Sequence, residues 1–155
     1  MSAFSTAEQR ALLEGGHWFT LPFPPSTNTY YRKFRNRMVI SAGGRKYKEW
    51  VRALLAHVPG LPLPGRVQLA VELYPPDRRR RDLDNFCGKA LLDALKGVAF
   101  GDDSEVFLLA GEWGVTPEGE LMVVKDGRLE VHLQRLENKK NNDSQKEHRQ
   151  DLPGR

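Results

Sequence analysis

RVQLAVELYPPDRRRRDLDN, residues 66–85, carries both a framework element and a chemistry. In its first half Val67, Leu69, Val71 and Leu73 fall on one side of an extended chain, with Gln68 and Glu72 on the other. That alternation predicts a strand from Arg66 to Tyr74 with one polar face. Pro75 and Pro76 cannot extend a hydrogen-bonded ladder and end it. The chain then meets four consecutive cations, Arg78 to Arg81, which run into Asp82 and Asp84 at i, i+2. A second acidic pair, Asp102-Asp103, follows about one helix-length later. Cations hold phosphate, and clustered carboxylates hold a divalent metal. Side by side they suggest chemistry on a nucleic-acid backbone.

Outward from this stretch, His17 to Phe23 alternates as a strand, and Met38 to Ile40 reads as a short one. Between them, residues 26–37 are polar, aromatic and basic. A helix is predicted from about Gly43 to His57, burying Tyr47, Trp50, Val51, Leu54, Leu55 and Val58. A second helix is predicted from about Asp84 to Lys96, with Asp84 or Asn85 as N-cap and Gly97 just past its end. Glu105 to Trp113 reads as a strand, and Met122–Val124 with Arg128–Leu136 as a hairpin around Asp126-Gly127. Trp18, Trp50 and Trp113 are assigned to the core. Strands and helices mix without regular βαβ alternation, so the expected class is α+β: a small mixed sheet with two main helices. Residues 1–16 read as an N-terminal extension, 17–136 as one domain, and 137–155 as a charged, disordered tail.

The 155 residues suffice for one domain with a real core. A net charge of +4 suits a polyanionic partner, and its distribution is more telling than its size. Arg32, Lys33, Arg35, Arg37, Arg45, Lys46 and Lys48 form one cluster, and Arg78 to Arg81 another. A single cysteine, Cys87, excludes an intrachain disulfide and a cysteine-based zinc cage. No apolar run reaches membrane-spanning length, and Met1 to Gly16 lacks the pattern of a signal peptide. The expected setting is cytoplasmic.

Asp82 and Asp84 converge if the chain is extended up to a helix beginning at Asp84. A loop after that helix can return Asp102-Asp103 to its start. Aspartates gathered at one point need a cation, and hard oxygen donors favour Mg²⁺ or Mn²⁺. Each feature also has a plainer reading. Acidic pairs cap helices and shape turns. An arginine run is often a solvated face. Lys89 and Asp93, at i, i+4, make an ordinary surface ion pair. Tyr30 and Tyr31 either stack on unpaired bases or simply pack. Three functional classes stay open: a metal-dependent nuclease, a non-cleaving DNA-binding protein, and an adaptor recruited through its tail.

The segment from Pro76 to Asn85, Lys89-Ala90-Leu91-Leu92-Asp93-Ala94-Leu95, and Asp102-Asp103-Ser104-Glu105-Val106 together resemble the RusA family of Holliday-junction resolvases. Leu21 to Arg32 is similar to the family's opening segment, and Ile40-Ser41-Ala42 precedes its first long helix. The resemblance implies a homodimeric, Mg²⁺-dependent endonuclease that cuts two opposed strands of a four-way DNA junction. It implies metal ligands at Asp82, Asp84 and Asp103, a catalytic lysine at Lys89, and DNA contacts from Arg79, Arg80, Arg81 and Lys89. One departure stands out: three residues separate Asn85 from Lys89 where the family usually has two. A non-cleaving junction-binding protein and a nuclease acting on flaps or replication intermediates are the alternatives.

Overall fold

The computed structural model describes residues 16–137. In chain order these form β1 (His17–Leu21), α1 (Thr27–Tyr30), β2 (Tyr31–Phe34), β3 (Arg37–Ile40), α2 (Ala42–Leu55) and β4 (Val67–Tyr74). A 3-10 turn at Leu83–Asn85, α3 (Lys89–Leu95), a second 3-10 turn at Asp103–Glu105, β5 (Val106–Trp113) and β6 (Arg128–Arg135) complete them. The 1–16 extension and the 137–155 tail fall outside the described residues, apart from Gly16 and Glu137.

The main sheet has the order β1-β6-β4-β5. Strand β6 is antiparallel to both β1 and β4, whereas β5 runs parallel to β4. A parallel pair needs a crossover, and here the crossover contains the arginine run, both 3-10 turns and α3. The expected α+β class with a small mixed sheet is observed, although β4, α3 and β5 do form one βαβ unit.

The alternation of β4 sends Val67, Leu69, Val71 and Leu73 into the core beside Leu129, Val131 and Leu133 of β6. Helix α2 covers this face with Tyr47, Val51 and Leu55, and α3 with Leu91, Ala94 and Leu95. The apolar face of α2 is therefore narrower than predicted: Trp50 is 55 % exposed, and Leu54 also faces solvent. A stripe at 44, 47, 51 and 55 suffices to seat the helix, and Trp50 lies beside it. Trp113 packs against the core edge, and Trp18 lies over His132 with ring centroids 4.4 Å apart.

Three further expectations are corrected. The second face of β4 is not simply a solvated polar face: Glu72 is buried, and Gln68 bonds Gln134 of β6 at 2.8 Å. The turn at Asp126-Gly127 exists, with φ of 64° and 67°, but Met122–Val124 is not a strand. β6 finds its partners in β1 and β4 instead. Finally, the polar segment before Met38 contains β2, which pairs with β3 from Tyr31↔Ile40 to Phe34↔Arg37. β2 itself, Tyr31-Arg32-Lys33-Phe34, carries two adjacent cations and shows no apolar–polar alternation. Among the described residues, no helix is long and apolar enough to cross a membrane.

Candidate active site

Beyond β4, Asp77 organises the arginine run. Its Oδ1 accepts from the Arg79 backbone N–H at 2.9 Å and from Arg81 Nη1 at 2.8 Å. Arg81 Nη1 also reaches the carbonyls of Asp77 and Arg79, and its guanidinium lies 6.0 Å from the Phe23 ring centre. The Arg81 hydrogen bond, reinforced by Arg79, draws the Asp77 carboxyl down to about 2. The run is thus split by role. The Arg81 side chain is 15 % exposed and braces the loop, while Arg78, Arg79 and Arg80 stand in solvent. Together they line a cleft of about 170 Å³ closed by Pro75, Trp113 and Leu121.

The chain is extended at Asp82 (φ −89°, ψ 131°) and then tightens into the 3-10 turn that includes Asp84. Both carboxylates are exposed. A single helix from Asp84 to Lys96, capped by Asp84 or Asn85, is not formed. Asn85, Cys87 and Gly88 are weak helix formers, and the chain breaks at Gly88 (φ −104°, ψ −124°) before α3 begins at Lys89. A side chain at Gly88 would stand 3.2 Å from the Asp84 carbonyl oxygen. Phe86 anchors the break in the core, its ring 5.2 Å from Phe23 and 6.1 Å from Trp113. Cys87 donates to the Leu83 carbonyl at 3.3 Å, and burial raises its thiol pKa. The three residues between Asn85 and Lys89 therefore lie in an irregular link ahead of α3. Because Asp84 sits in a turn, the side-by-side geometry expected of i, i+2 on extended chain does not apply to Asp82 and Asp84.

Lys89, in the first turn of α3, brings separate parts of the chain together. Its Nζ lies 2.8 Å from Asp93 Oδ1 and 3.5 Å from Asp103 Oδ2. The i, i+4 ion pair and the approach to the acidic pair are thus both present. Asp93 is held from its other side by the Tyr30 hydroxyl, 2.9 Å from Oδ2. Burial pushes the Asp93 carboxyl up, but hydrogen bonds from Lys89 and Tyr30 together outweigh it and hold the carboxyl below its ordinary value. The Asp93 bond raises the Lys89 pKa, so its ammonium stays charged at neutral pH. Burial, and then Asp93, raise the Tyr30 phenol. Tyr30 is fully buried and packs so closely on α2 that a side chain at Gly44 would stand 2.7 Å from its ring. It cannot stack on bases. Tyr31 packs edge-on against it, centroids 4.9 Å apart.

The two aspartates of the second pair differ. Asp102 caps the 3-10 turn: its Oδ2 accepts from the Ser104 N–H at 3.1 Å and the Ser104 hydroxyl at 2.8 Å, and Glu105 completes the capping box. Its Oδ1 pairs with Lys96. The Lys96 bond, with those from Ser104, pulls the Asp102 carboxyl well below the usual range. Asp103 Oδ1, in contrast, is buried and has no hydrogen-bond partner. The orphaned oxygen of Asp103 and the exposed carboxylates of Asp82 and Asp84 are, in kind, the hard oxygen donors that Mg²⁺ or Mn²⁺ prefers. The structure joins Lys89 to Asp103. Among the described residues, it does not draw three or more acidic, His or Cys side chains into a ready-made metal cluster.

Sequence reasoning left packing open for Tyr30, as observed, but missed its hydrogen bond to Asp93 and the bridging role of Asp93. The Lys89–Asp93 spacing was a visible signal. The Tyr30 contact spans 63 residues and leaves no local trace.

Comparison with known proteins places these features in context. The profile of the family described as "Endodeoxyribonuclease RusA" matches residues 22–134. Crossover junction endodeoxyribonuclease RusA of Shigella sonnei is 41% identical over 123 residues, 77% of this chain and 94% of the relative. The Escherichia coli K12 protein of the same name is 40% identical over the same shares of the two chains. The enterobacteria phage 82 protein is 41% identical, again over 77% of this chain and 94% of its own length. The matched span runs from just after β1 into the last strand, β6, and includes the arginine run, the acidic loop and Lys89, so the chain belongs to the RusA family of endodeoxyribonucleases.

Proposed function

We propose that this chain is a metal-dependent endonuclease that resolves four-way (Holliday) DNA junctions by paired, symmetric cuts, in DNA recombination and repair. The observation that carries this reading is the meeting of Lys89 with Asp103, in the same connection that carries the arginine run and in a family of endodeoxyribonucleases. Asp82, Asp84 and Asp103 would hold Mg²⁺, with Mn²⁺ as a substitute. Bound there, such an ion would supply polarisation of the scissile phosphate and a lowered pKa for a bound water.

The chain's own groups supply the rest. Asp93 fixes the Lys89 ammonium, which is half exposed and faces the acidic pair. From there it stabilises negative charge developing on the phosphate or the leaving oxygen. Arg79 and Arg80 hold backbone phosphates flanking the cut, and Arg81 keeps their loop in shape. Affinity then falls steeply with salt, and selectivity comes from junction shape rather than base sequence.

Two opposed cuts need two sites, which a twofold dimer supplies. The outer edge of β5 supports this reading. It ends the sheet and carries exposed Phe107, Leu108 and Leu109, a combination that invites pairing with another strand. The enzyme would act in the cytoplasm, with no membrane partner.

The test is cleavage of a synthetic four-way junction beside matched linear duplex and flap DNA, in Mg²⁺ and in EDTA, with Asp82→Asn as control. Paired nicks in opposed arms that need both metal and Asp82 are expected. Binding without any cut would make the protein a junction binder. Equal cutting of flaps would make it a general branched-DNA nuclease.

A further inference from the structure

The ribbon formed by β2 and β3 has features the cleavage site does not use. Between Ser26 and Lys48 the chain carries seven cations and no carboxylate. Four of them, Arg32, Lys33, Arg35 and Arg37, lie on the ribbon, where residues 32–38 are all exposed. Among these cations stand two apolar side chains with solvent access: Phe34, 49 % exposed, and Met38, 66 % exposed. The register puts Arg32 and Arg37 on the same face as Phe34, and Lys33 beside Met38 on the other. The Arg32 and Arg35 guanidiniums lie 5.5 and 5.6 Å from the Phe34 ring centre.

The tip is a two-residue turn, Arg35-Asn36, with Arg35 at φ 53°. Glycine or asparagine usually fills such a left-handed position. An arginine there sets a cation at the tip, against the ring. The ribbon is fastened at its base, where the Ser41 N–H donates to the Tyr30 carbonyl at 2.8 Å and Arg45 Nη1 to the Ile40 carbonyl at 2.7 Å. Buried Tyr30 then ties that base to Asp93 and Lys89.

We infer that this ribbon is a DNA wedge. Phe34, at its tip, inserts between bases at the strand-exchange point of the junction, while Arg32, Arg35 and Arg37 hold the phosphates on either side. This inference rests on the junction reading given above and names the part of the chain that would sense the branch.

The chemistry favours DNA over the other occupants of an exposed apolar tip. A second copy of the ribbon would bring like charges together with no acid to offset them. Phosphate alone would satisfy the arginines but offers nothing to an aromatic ring. A base step offers both: a stacking face for the ring and flanking phosphates for the cations. Prising bases apart is least costly where stacking is already interrupted. A wedge therefore discriminates a junction from a continuous duplex without reading sequence.

The experiment uses the full chain in EDTA, so that nothing is cut, with 2-aminopurine placed at the exchange point of a four-way junction. Binding of the parent protein should raise the fluorescence as the base unstacks. Phe34→Ala should cut that rise at least fivefold and weaken junction binding about tenfold, with linear-duplex binding unchanged. Phe34→Trp should retain the rise. An equal rise with Phe34→Ala overturns the wedge, as does a parent protein that binds and cuts the junction without any rise; the junction reading survives both. Loss of junction and duplex binding together would make Phe34 a general contact and would also overturn it. A parent protein with no preference for the junction would remove the wedge and the junction reading together.

Discussion

The Tyr30 hydroxyl donates to Asp93 Oδ2 at 2.9 Å, across 63 residues of sequence, and so connects the base of the β2–β3 ribbon to the lysine that faces Asp103. Tyr30→Phe leaves Asp93 half-buried with one partner fewer. Loss of a hydrogen bond to a charged group should cost about 1.5–3 kcal/mol of stability. If Asp93 positions Lys89, Asp93→Asn should slow cleavage at saturating junction more than it weakens binding, and Asp93→Glu should recover part of the rate. Single-turnover kinetics would show this. Unchanged rates in Asp93→Asn would reduce the pair to a surface ion pair.

The same pair fixes a pH dependence. The folded-state pKa of Asp93 is depressed, so its contribution to stability is present above the ordinary carboxylate value and lost as pH falls through the lower folded one. The pKa of Lys89 is raised, so its contribution is complete below the ordinary lysine value and lost as pH rises through the higher folded one. The stability gap between parent and Asp93→Asn should hold steady through neutral pH and close below about pH 4. Denaturant melts across that range would check it; a gap that widened in acid would contradict the assignment.

The two halves of the second acidic pair should separate by mutation. Asp103→Asn, like Asp82→Asn, should abolish cleavage yet leave junction binding intact or tighter, since each removes negative charge from the site. Asp102→Asn should keep the cap, because asparagine caps as well as aspartate, and should lose only the Lys96 pair. Its cleavage rate should stay within a few-fold of the parent's. Isothermal titration of Mg²⁺ into each variant would give a second reading independent of turnover.

Within the arginine run, Arg80→Ala should leave thermal stability unchanged and flatten the salt dependence of junction affinity by about one unit of log–log slope. Arg81→Ala should instead lower the melting temperature, because the loop loses the bond to Asp77. Equal effects of the two would mean that the run acts as a featureless charged surface.

Placing a charge on the open edge of β5 should prevent pairing there. Leu108→Lys is expected to leave the monomer folded and shift the protein from dimer to monomer in sedimentation velocity. If the variant remains dimeric, the second copy docks elsewhere.

Much of the fold was legible because its signals are local. The alternation in Val67–Tyr74, the proline stop after it and the stripe through Tyr47, Val51 and Leu55 each follow from a short window. The site was legible as a set of residues and much less as a geometry. The weak helix formers Asn85, Cys87 and Gly88 hint at the break at Gly88, but Phe86, Ala90 and Ala94 keep helical spacing across it and mask it. Trp50 was assigned to the core from its helical spacing, but burial depends on what a helix packs against. β2 was hidden because a ribbon standing away from the core need not alternate apolar with polar. Strand partners were the least accessible: β6 pairs with strands distant in sequence, not with its nearest apolar neighbour.

The parallel pairing of β4 with β5 has a consequence for how this protein can vary. Every residue assigned to the cleavage site, from Arg79 to Asp103, lies in the one connection between those two strands. The connection behaves as a cassette clamped at both ends by a shared ladder. Loops elsewhere can lengthen without disturbing it, and the whole segment could be transplanted between relatives by joining two strand ends. The ribbon that would sense the branch lies outside the cassette, and the Tyr30–Asp93 hydrogen bond at its base is a link between them. If the ribbon senses the branch, recognition and chemistry would be separate modules that could be exchanged independently as long as that joint is kept.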